Sequence, residues 1–489
     1  MTGREPARRP GARVLLAIWA ARLAMLALRV LRRPGTQVPG LVALRVHPGL
    51  IGAIAHPPRV VVVTGTNGKT TAANLLAGAL EQQGMRVASN RNGSNLAAGV
   101  AASLVRAVDL RGRSRADVAV LEMDERSARL VLPGLDPDLL LCTNLTRDSI
   151  KRNAHPAYIA WIIQSSLPER TRLVLNADDL VTAGLGAAAE AAGTVAARGE
   201  NPRVYFAVDA HAGDVPVPPG AVPPGAAVDV AICPVCATTL DWEYWRYNHI
   251  GKAVCPNCGF RSPEAQYRAR EVDPERDRVV LDLDGDARAA RLVNDNIVNV
   301  YNEVAVAAAL DVLEVPRERI VAAFDTLQPP ATRFSEERIG EVTLVRQLTK
   351  GLVGVACSRA FEYVMTFPGR KAVLLAIDEV TDRTTEVEMT AWTYDADYEA
   401  LADDSVEQIL VGGIRRHDQA LRLAIAGVDP ARIQTFASET IAADRVELDG
   451  MRVVANLHSV HNAPLTGTPV QARLRERLRA GESGSGGAA

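Results

Sequence analysis

The sequence has few cysteines, little net charge and no long uninterrupted apolar run, and each absence narrows the class of protein. Six cysteines in 489 residues are too few for a disulfide framework, which predicts a reduced, cytosolic protein. A net charge of -2 gives no global field that would recruit nucleic acid or an acidic membrane. The length predicts more than one domain. Any specificity must therefore come from local sites.

The N-terminal stretch 14–33 is apolar, but Arg22 and Arg29 interrupt it. Their spacing places both charges on one helical face and leaves no span of about 20 apolar residues for crossing a membrane. We expect an amphipathic helix. Two interpretations stay open: the helix packs on the first domain, or it lies on the inner-membrane surface with its arginines toward lipid phosphates. The C-terminal tail 481–489 has no apolar residue except its closing alanines and is expected to be flexible.

A glycine-rich loop joins a predicted strand at 59–64 to a predicted helix at 70–83. Backbone N–H groups at a helix start, together with a lysine, form an anion site, and a threonine hydroxyl can bind Mg²⁺. Lys69 and Thr70 are the expected residues. Val63 stands where the general nucleotide-binding pattern has its first glycine, so TGTNGKTT is a compact variant of that loop. The lysine and threonines disfavour a turn that only links strand to helix.

Three further apolar strands end in polar residues. The segment 116–125 contains a strand that ends in Glu122. The segment 138–149 contains a strand followed by Asn144 and Asp148, and residues 172–179 repeat the plan. Open α/β sheets bind ligands at the carboxyl ends of their parallel strands. The sequence therefore predicts a parallel sheet whose strand ends hold Mg·ATP and an acyl phosphate.

Together these motifs resemble the Mur ligase superfamily and, within it, the MurT family, the ATP-binding subunits of the MurT/GatD lipid II isoglutaminyl synthases. The resemblance runs from about residue 14 to about residue 465. It implies an α/β fold with a Mur-ligase-type central ATPase domain and a smaller C-terminal α/β domain. The segments that carry it are GTNGKTT (65–71), LEMDE (121–125), TNLTRD (143–148), LNADD (175–179), NVYN (299–302), PPATRFS (329–335) and GGIRRHDQALRLAIAGV (412–428).

The resemblance assigns a nucleotide site. Its binding residues are Gly65, Thr66, Asn67, Gly68, Lys69, Thr70, Thr71, Asn299, Asn302 and Arg333. Glu122 is implied as a second magnesium ligand, and Arg333 as a phosphate contact at a hinge. Asn299 and Asn302 are implied as adenine contacts, and their i, i+3 spacing puts both amides on one helical face. Without the family, N-capping would be the preferred interpretation of two asparagines at a helix start.

Four cysteines form two tight pairs, Cys233 with Cys236 and Cys255 with Cys258. This spacing is typical of two knuckles that place four thiolates on Zn²⁺. Because four protein ligands leave no position for water, the site is expected to be structural. We predict a zinc ribbon at 228–270, inserted in the ATPase domain. Redox chemistry and nucleic-acid binding are alternatives, but the segment 241–252 between the pairs carries acids as well as aromatic and basic residues.

A second α/β pattern begins near residue 334. Its predicted strands lie at 342–347, 372–377, 407–411 and 452–456. In the MurT family this domain pairs with the glutaminase, and a short tryptophan-containing motif supplies an aspartate that completes the partner's Cys/His pair. WTYDADYE (392–399) matches that motif. By the resemblance Asp395 is the first choice for this catalytic role and Asp397 the second. An ordinary acidic turn is the alternative.

The resemblance implies an ATP-dependent amidoligase. It would amidate the D-glutamate α-carboxyl of the lipid II stem peptide through an acyl phosphate, using ammonia from a GatD-like glutaminase in a heterodimer. The expected domains are a lead-in at 1–50, an ATP-binding domain at 51–332 and a ligase domain at 333–480. Departures from the family at 350–354 and 377–391 keep two alternatives open. One is a stand-alone Mur or folylpolyglutamate-type amino acid ligase, and the other is a non-catalytic nucleotide-binding paralogue.

Overall fold

The computed structural model describes most of the chain. The described residues are 10–32, 35–91, 94–148, 155–185, 201–211, 213–223, 228–327, 334–349, 353–377, 390–459 and 468–485. Arg333 and most of the segments 350–354 and 377–391 lie outside them. The chain forms two compact units. The first comprises Met1–Thr146, His155–Pro223 and Asp229–Pro329, and the second comprises Arg147–Ala154, Pro224–Val228 and Pro330–Ala489.

The first unit alternates helices and strands. Its helices are α1 (Ala12–Val30), α2 (Val38–Val46), α3 (Leu50–Ala53), α4 (Lys69–Gln82), α5 (Ala97–Ala107), α6 (Ala128–Leu135), α7 (Pro156–Gln164), α8 (Leu180–Ala183), α9 (Ile297–Val312) and α10 (Arg317–Phe324). Its strands are β1 (Arg59–Thr64), β2 (Val87–Ser89), β3 (Val118–Glu122), β4 (Leu139–Cys142), β5 (Arg172–Asn176), β6 (Arg203–Val208), β7 (Asp241–Tyr247), β8 (Ile250–Val254), β9 (Tyr267–Asp273), β10 (Arg278–Leu283) and β11 (Asp286–Arg291).

Nine of these strands form one sheet in the order β11-β10-β9-β6-β5-β4-β1-β3-β2. The pairs from β2 through β6 to β9 are parallel, and β9, β10 and β11 pair antiparallel. The chain places β2 and β3 on one side of β1 and β4 on the other. The order of the strands therefore reverses between β1 and β4, which is where sheets of this kind bind ligands. The predicted strand and helix around the phosphate loop are confirmed as β1 and α4.

The N-terminal helix packs on the first unit through one face. Val14, Ala17, Ile18 and Ala21 of α1 belong to its hydrophobic core. Arg22 donates to the carbonyl oxygens of two residues at the end of α5, which lack partners within that helix. The expectation that this arginine faces lipid is therefore wrong. None of the described helices is long and apolar enough to span a bilayer.

The second unit has a six-stranded sheet in the order β12-β13-β17-β14-β15-β16. Its strands are β12 (Phe334–Ile339), β13 (Val342–Leu348), β14 (Lys371–Ala376), β15 (Val406–Gly412), β16 (Ile433–Phe436) and β17 (Val453–His458). Its helices are α11 (Gly354–Thr366), α12 (Arg416–Ile425), α13 (Glu439–Arg445) and α14 (Thr468–Ser485). The four predicted strands are confirmed, whereas the two edge strands β12 and β16 were not predicted. Helix α14 extends into the tail expected to be flexible, and residues 486–489 lie outside the described residues.

Candidate functional site

The phosphate loop turns between β1 and α4 at two positions that only glycine can occupy without strain. Gly65 has φ 126° and Gly68 has φ 85°, which side chains with a Cβ rarely adopt. There is also no room for a side chain at either position. A Cβ added at Gly65 would lie 2.3 Å from Thr143 Oγ1, and one added at Gly68 would lie 2.2 Å from Asn302 Oδ1. The loop backbone thus packs directly against Thr143 and Asn144, which follow β4, and against Asn302 in α9.

The segment after β4 holds the loop in place. The backbone N–H of Thr66 donates to the Asn144 carbonyl at 2.7 Å, and that of Asn67 donates to Asn144 Oδ1 at 3.0 Å. Thr143 Oγ1 donates to the Asn67 carbonyl at 2.6 Å. Helix α4 begins at Lys69, and no side chain of the described residues caps its start. This geometry leaves the first turn of α4 as an anion-binding helix terminus.

Lys69 is buried, with 8% of its surface exposed. Its Nζ lies 2.6 Å from Oε1 of the buried Glu125 and donates to the carbonyls of Gly65 and Thr66. A buried ammonium requires such partners, because desolvation of an unpaired charge is costly. Glu125 was not predicted as a site residue, although it lies in the LEMDE segment three residues after Glu122. An arriving phosphate would compete with Glu125 for this ammonium.

Glu122 ends β3 beside the base of the loop, where it pairs in register with Val63 of β1. Its carboxylate accepts a hydrogen bond from Asn95 Nδ2 at 3.2 Å, and Asn90 Nδ2 donates to its backbone carbonyl at 2.8 Å. Thr70 is the second residue of α4. A hydroxyl and a carboxylate are oxygen donors, which Mg²⁺ prefers. The chemistry of these two donors therefore suits a magnesium ion.

The two asparagines of NVYN are not helix caps. Asn296 caps α9, since its Oδ1 accepts from Val298 N at 3.0 Å. Asn299 and Asn302 lie inside the helix, and Asn302 Nδ2 donates to Asn299 Oδ1 at 3.3 Å. Asn302 is 1% exposed and packs on Gly68. The capping interpretation is wrong. The structure places the Asn302 amide against Gly68 of the phosphate loop, and Asn299 is hydrogen-bonded to Asn302.

A hairpin of β7 and β8, which lies between the two cysteine pairs, inserts a buried arginine toward the same helix. Arg246 Nη1 lies 3.1 Å from Asp178 Oδ2 and donates to the Tyr301 hydroxyl. Its Nε lies 2.8 Å from Asp214 Oδ1, and its guanidinium stacks 4.5 Å from the Tyr244 ring centroid. Tyr301 lies between the two asparagines of NVYN in sequence. The hairpin and α9 therefore share one buried polar network.

The neighbouring aspartate anchors the tip of the same hairpin. Asp179 accepts from Leu145 N at 2.6 Å, and its Oδ1 lies 2.8 Å from His249 Nε2. Burial opposes ionisation of Asp179, but the charge and hydrogen bond of His249 outweigh it and lower the pKa of the carboxyl. Burial likewise opposes protonation of His249, yet Asp179 raises the pKa of the imidazole. LNADD thus joins the sheet to the hairpin. Arg246 and His249 of the hairpin are buried against the fold, which disfavours nucleic-acid binding by these residues.

The four cysteines of the two pairs come together. All four Sγ atoms lie within 4.8 Å of one another. Cys233 Sγ is 3.6 Å from Cys258 Sγ, and Cys236 Sγ is 3.5 Å from Cys255 Sγ. These separations are much longer than a disulfide bond and are close to the edge of a tetrahedron with metal–sulfur bonds of about 2.3 Å. The four thiols therefore fit a metal ion of tetrahedral preference.

In the second unit, the WTYDADYE segment forms two short 3-10 turns, Ala391–Tyr394 and Tyr398–Ala402. Asp395 Oδ1 accepts from Arg147 Nη1 at 2.9 Å, and Arg147 belongs to the same unit. Asp397 is fixed through its backbone N–H, which donates to Ser358 Oγ at 2.9 Å. The structure places both candidate aspartates in the short segment between these two turns.

Two segments of the chain match known families. Residues 63–212 match the Mur ligase middle domain, and residues 353–456 match the MurT ligase C-terminal domain. The resemblance found in the motifs is therefore confirmed. The Mur-ligase-like α/β fold with parallel sheets is confirmed as well.

Individual proteins resemble the chain over most of its length. One is the lipid II isoglutaminyl synthase (glutamine-hydrolyzing) subunit MurT of Staphylococcus aureus strain COL, 27% identical over 84% of this chain and 88% of that protein. The Streptococcus pneumoniae subunit of the same name is 26% identical over 82% and 84%. A pseudomurein peptide ligase type C from Methanothermus fervidus shares the fold, with a TM-score of 0.61 and 18% identity over 87% of this chain and 79% of that one.

Proposed function

We propose that this chain, which carries a Mur ligase middle domain and a MurT ligase C-terminal domain, is the ATP-binding subunit of a lipid II isoglutaminyl synthase. Two proteins named as such subunits resemble it over most of their length. The observation that carries the proposal is the buried Lys69 on a glycine loop at the point where the strand order reverses. The product would be lipid II whose D-glutamate α-carboxyl is converted to an amide at the inner face of the membrane.

The chain's own residues would position the phosphates. Lys69 and the N–H groups at the start of α4 bind the triphosphate, while Asn299 and Asn302 contact adenine. Thr70 and Glu122 hold magnesium, which when bound neutralises charge on the transferred phosphoryl group. A substrate carboxylate oxygen attacks the γ-phosphorus and ADP leaves. Ammonia then attacks the acyl carbon, phosphate leaves with that oxygen, and a proton is lost as the amide forms.

The four-cysteine cluster would hold structural zinc. The sulfur separations of 3.5 and 3.6 Å support a tetrahedral ion, and no oxidised pair is present among the described cysteines. Zinc would fix the base of the hairpin that carries Arg246. Metal analysis of the purified chain should find one zinc ion, and Cys258→Ser should reduce that content. A chain without zinc, or a variant that retains it fully, would contradict this assignment.

The second unit would bind a GatD-like glutaminase. Asp395 would complete the partner's Cys/His pair by orienting the histidine, with Asp397 as the second candidate. Before docking, Arg147 holds Asp395 at 2.9 Å. Ammonia released by the partner would then be consumed at the acyl phosphate, so that hydrolysis of glutamine depends on assembly of the heterodimer.

Lys69→Ala tests the nucleotide role, with Lys252→Ala as the control. Lys252 belongs to the same unit but forms surface ion pairs with Glu243 and Glu264. Loss of one preorganised cationic donor typically lowers turnover by about 10²-fold or more. We expect Lys69→Ala to abolish both ATP hydrolysis and amidation in the presence of the partner, while the control retains both. Amidation by the Lys69 variant would refute the mechanism. ATP binding without turnover by the wild type would favour a non-catalytic paralogue.

A further inference from the structure

Helix α1 has a second face that remains exposed. Five large apolar side chains lie on it at intervals of three and four residues, which places them on one side of the helix. They are Leu16, Trp19, Leu23, Leu26 and Val30, with exposed fractions of 54%, 47%, 66%, 59% and 74%. We call this set the apolar stripe. Since the opposite face of α1 is packed in the core, the stripe is held outward on a fixed element.

A basic loop lies beside the stripe. Trp19 Nε1 donates to the Leu110 carbonyl at 3.0 Å, and a Cβ added at Gly112 would lie 2.9 Å from Pro10. Leu110 is itself 60% exposed. The loop's exposed arginines are Arg111, Arg113 and Arg115. Its acidic residue is Asp109, which accepts the backbone N–H groups of Arg111 and Arg113 at 2.9 Å and so faces its own loop.

The charge around the stripe is predominantly positive. Residues 6–80 contain no aspartate or glutamate. Helix α1 and the residues just after it expose Arg13, Arg29 and Arg32. Large apolar side chains bordered by arginines are typical of helices that lie in the interface of an anionic bilayer.

We propose that the apolar stripe and the loop around Leu110 dock on a membrane surface that contains anionic lipids. The inference deepens the proposed function and rests on it, because the proposed substrate is linked to a lipid. A second copy of the chain is a poorer occupant, since self-pairing would bring the same arginines together. A coiled-coil partner is also disfavoured, because α1 has 19 residues and such pairing needs at least three to four heptads.

Vesicle co-sedimentation tests the proposal with the full chain. The probes are vesicles of phosphatidylglycerol with phosphatidylcholine, and vesicles of phosphatidylcholine alone. The variant Leu23→Glu with Leu26→Glu places charge on the stripe and leaves the buried face of α1 unchanged. The control is Leu421→Glu, since Leu421 in α12 is similarly exposed, at 59%. A third variant, Arg111→Glu with Arg113→Glu, tests the basic loop.

We expect wild type and control to sediment with the anionic vesicles and not with the neutral ones. The stripe variant should bind about tenfold less or weaker still, because leucine burial is lost. The loop variant should lose several-fold for each arginine at low salt. Absence of wild-type sedimentation, or equal loss in the control, would overturn the proposal. So would a dimer that the stripe variant converts to monomer without a change in vesicle binding.

The two proposals fail separately. Amidation of a detergent-dispersed or water-soluble stem-peptide substrate does not require docking. If that reaction proceeds but the chain does not sediment with anionic vesicles, the proposed docking surface is refuted and the proposed enzyme function stands. If the chain sediments with vesicles as expected but amidates nothing, the proposed function is wrong and the docking surface stands.

Discussion

The proposed nucleotide site of the first unit and the aspartate turn of the second, the segment with Asp395 and Asp397, differ in what positions their residues. In the first, Lys69 and Asn144 follow parallel strands and Glu122 ends one, and neighbouring strands deliver all three to one edge of the sheet. In the second, Asp395 and Asp397 lie between two short 3-10 turns, where side-chain direction depends on contacts such as Arg147 and Ser358. A residue at a strand end is placed by the sheet, whereas a residue on such a turn is placed by its neighbours.

The largest expected effect tests the aspartate turn. Asp395→Asn should lower glutamine hydrolysis by the assembled complex by about 10³-fold, because the partner's histidine loses its orienting carboxylate. ATP affinity of the chain should stay unchanged. Asp397→Asn is the matched control and should have little effect. Rates of glutamine hydrolysis by the two complexes provide the measurement. Loss in the Asp397 variant alone would exchange the two roles, and loss in neither would leave an ordinary acidic turn.

The hairpin of β7 and β8 is expected to support α9 through Arg246. Arg246→Met leaves Asp178 and Asp214 without their buried cation and should destabilise the first unit by about 3–5 kcal/mol. It should also weaken ATP binding, since Arg246 donates to Tyr301 in α9. Lys252→Met removes surface ion pairs of the same hairpin and should cost about 1 kcal/mol or less. Urea unfolding and ATP titration measure both effects. Equal stability of the two variants would contradict the network.

Gly68 and Gly84 together test whether the phosphate loop needs its close contact with Asn302. Gly68→Ala should weaken ATP binding by about 10²-fold, because the new Cβ would meet Asn302 and displace the loop. Gly84 has a similar φ of 80° but nothing within 4 Å of an added Cβ. Gly84→Ala should therefore carry only the backbone strain, about 1–2 kcal/mol of stability, and leave ATP affinity intact. Isothermal titration with ATP distinguishes them, and equal affinities would show that the loop does not need this close approach.

The smallest effect is a pH dependence beside Asn302. Burial raises the pKa of Glu303 to about 8, so the folded state holds a proton that the unfolded state releases at lower pH. The contribution of Glu303 to the free energy of unfolding is complete below the pKa of this carboxyl in the unfolded state, and it falls as the pH rises toward 8. Between pH 7 and pH 9 the loss should be about 1.4 kcal/mol. In Glu303→Gln, which keeps an acceptor for Val293 N–H, this decline should disappear from urea unfolding curves. An unchanged decline would contradict the assignment.

The same contrast explains how much could be predicted. The strand pattern and the loop motif predicted β1, α4, Lys69 and Glu122, because apolar strands and glycine turns are local features. Arg246 and Tyr301 are 55 residues apart in sequence, and no local pattern pairs them. Glu125 was visible in LEMDE but gave no sign that Lys69 would pair with it. The edge strands β12 and β16 were not predicted, because β12 is largely polar and β16 has only four residues.

In the proposed reaction, ATP bound at the phosphate loop activates a carboxylate for amidation. This step is tested with lipid II whose D-glutamate α-carboxyl carries ¹⁸O at both oxygens, incubated with this chain, a GatD-like glutaminase, Mg·ATP and glutamine. An acyl phosphate passes one carboxyl oxygen to the released phosphate, so we predict one labelled phosphate for each amide formed. Unlabelled phosphate together with amide product, or amide formation without ATP, would contradict the account.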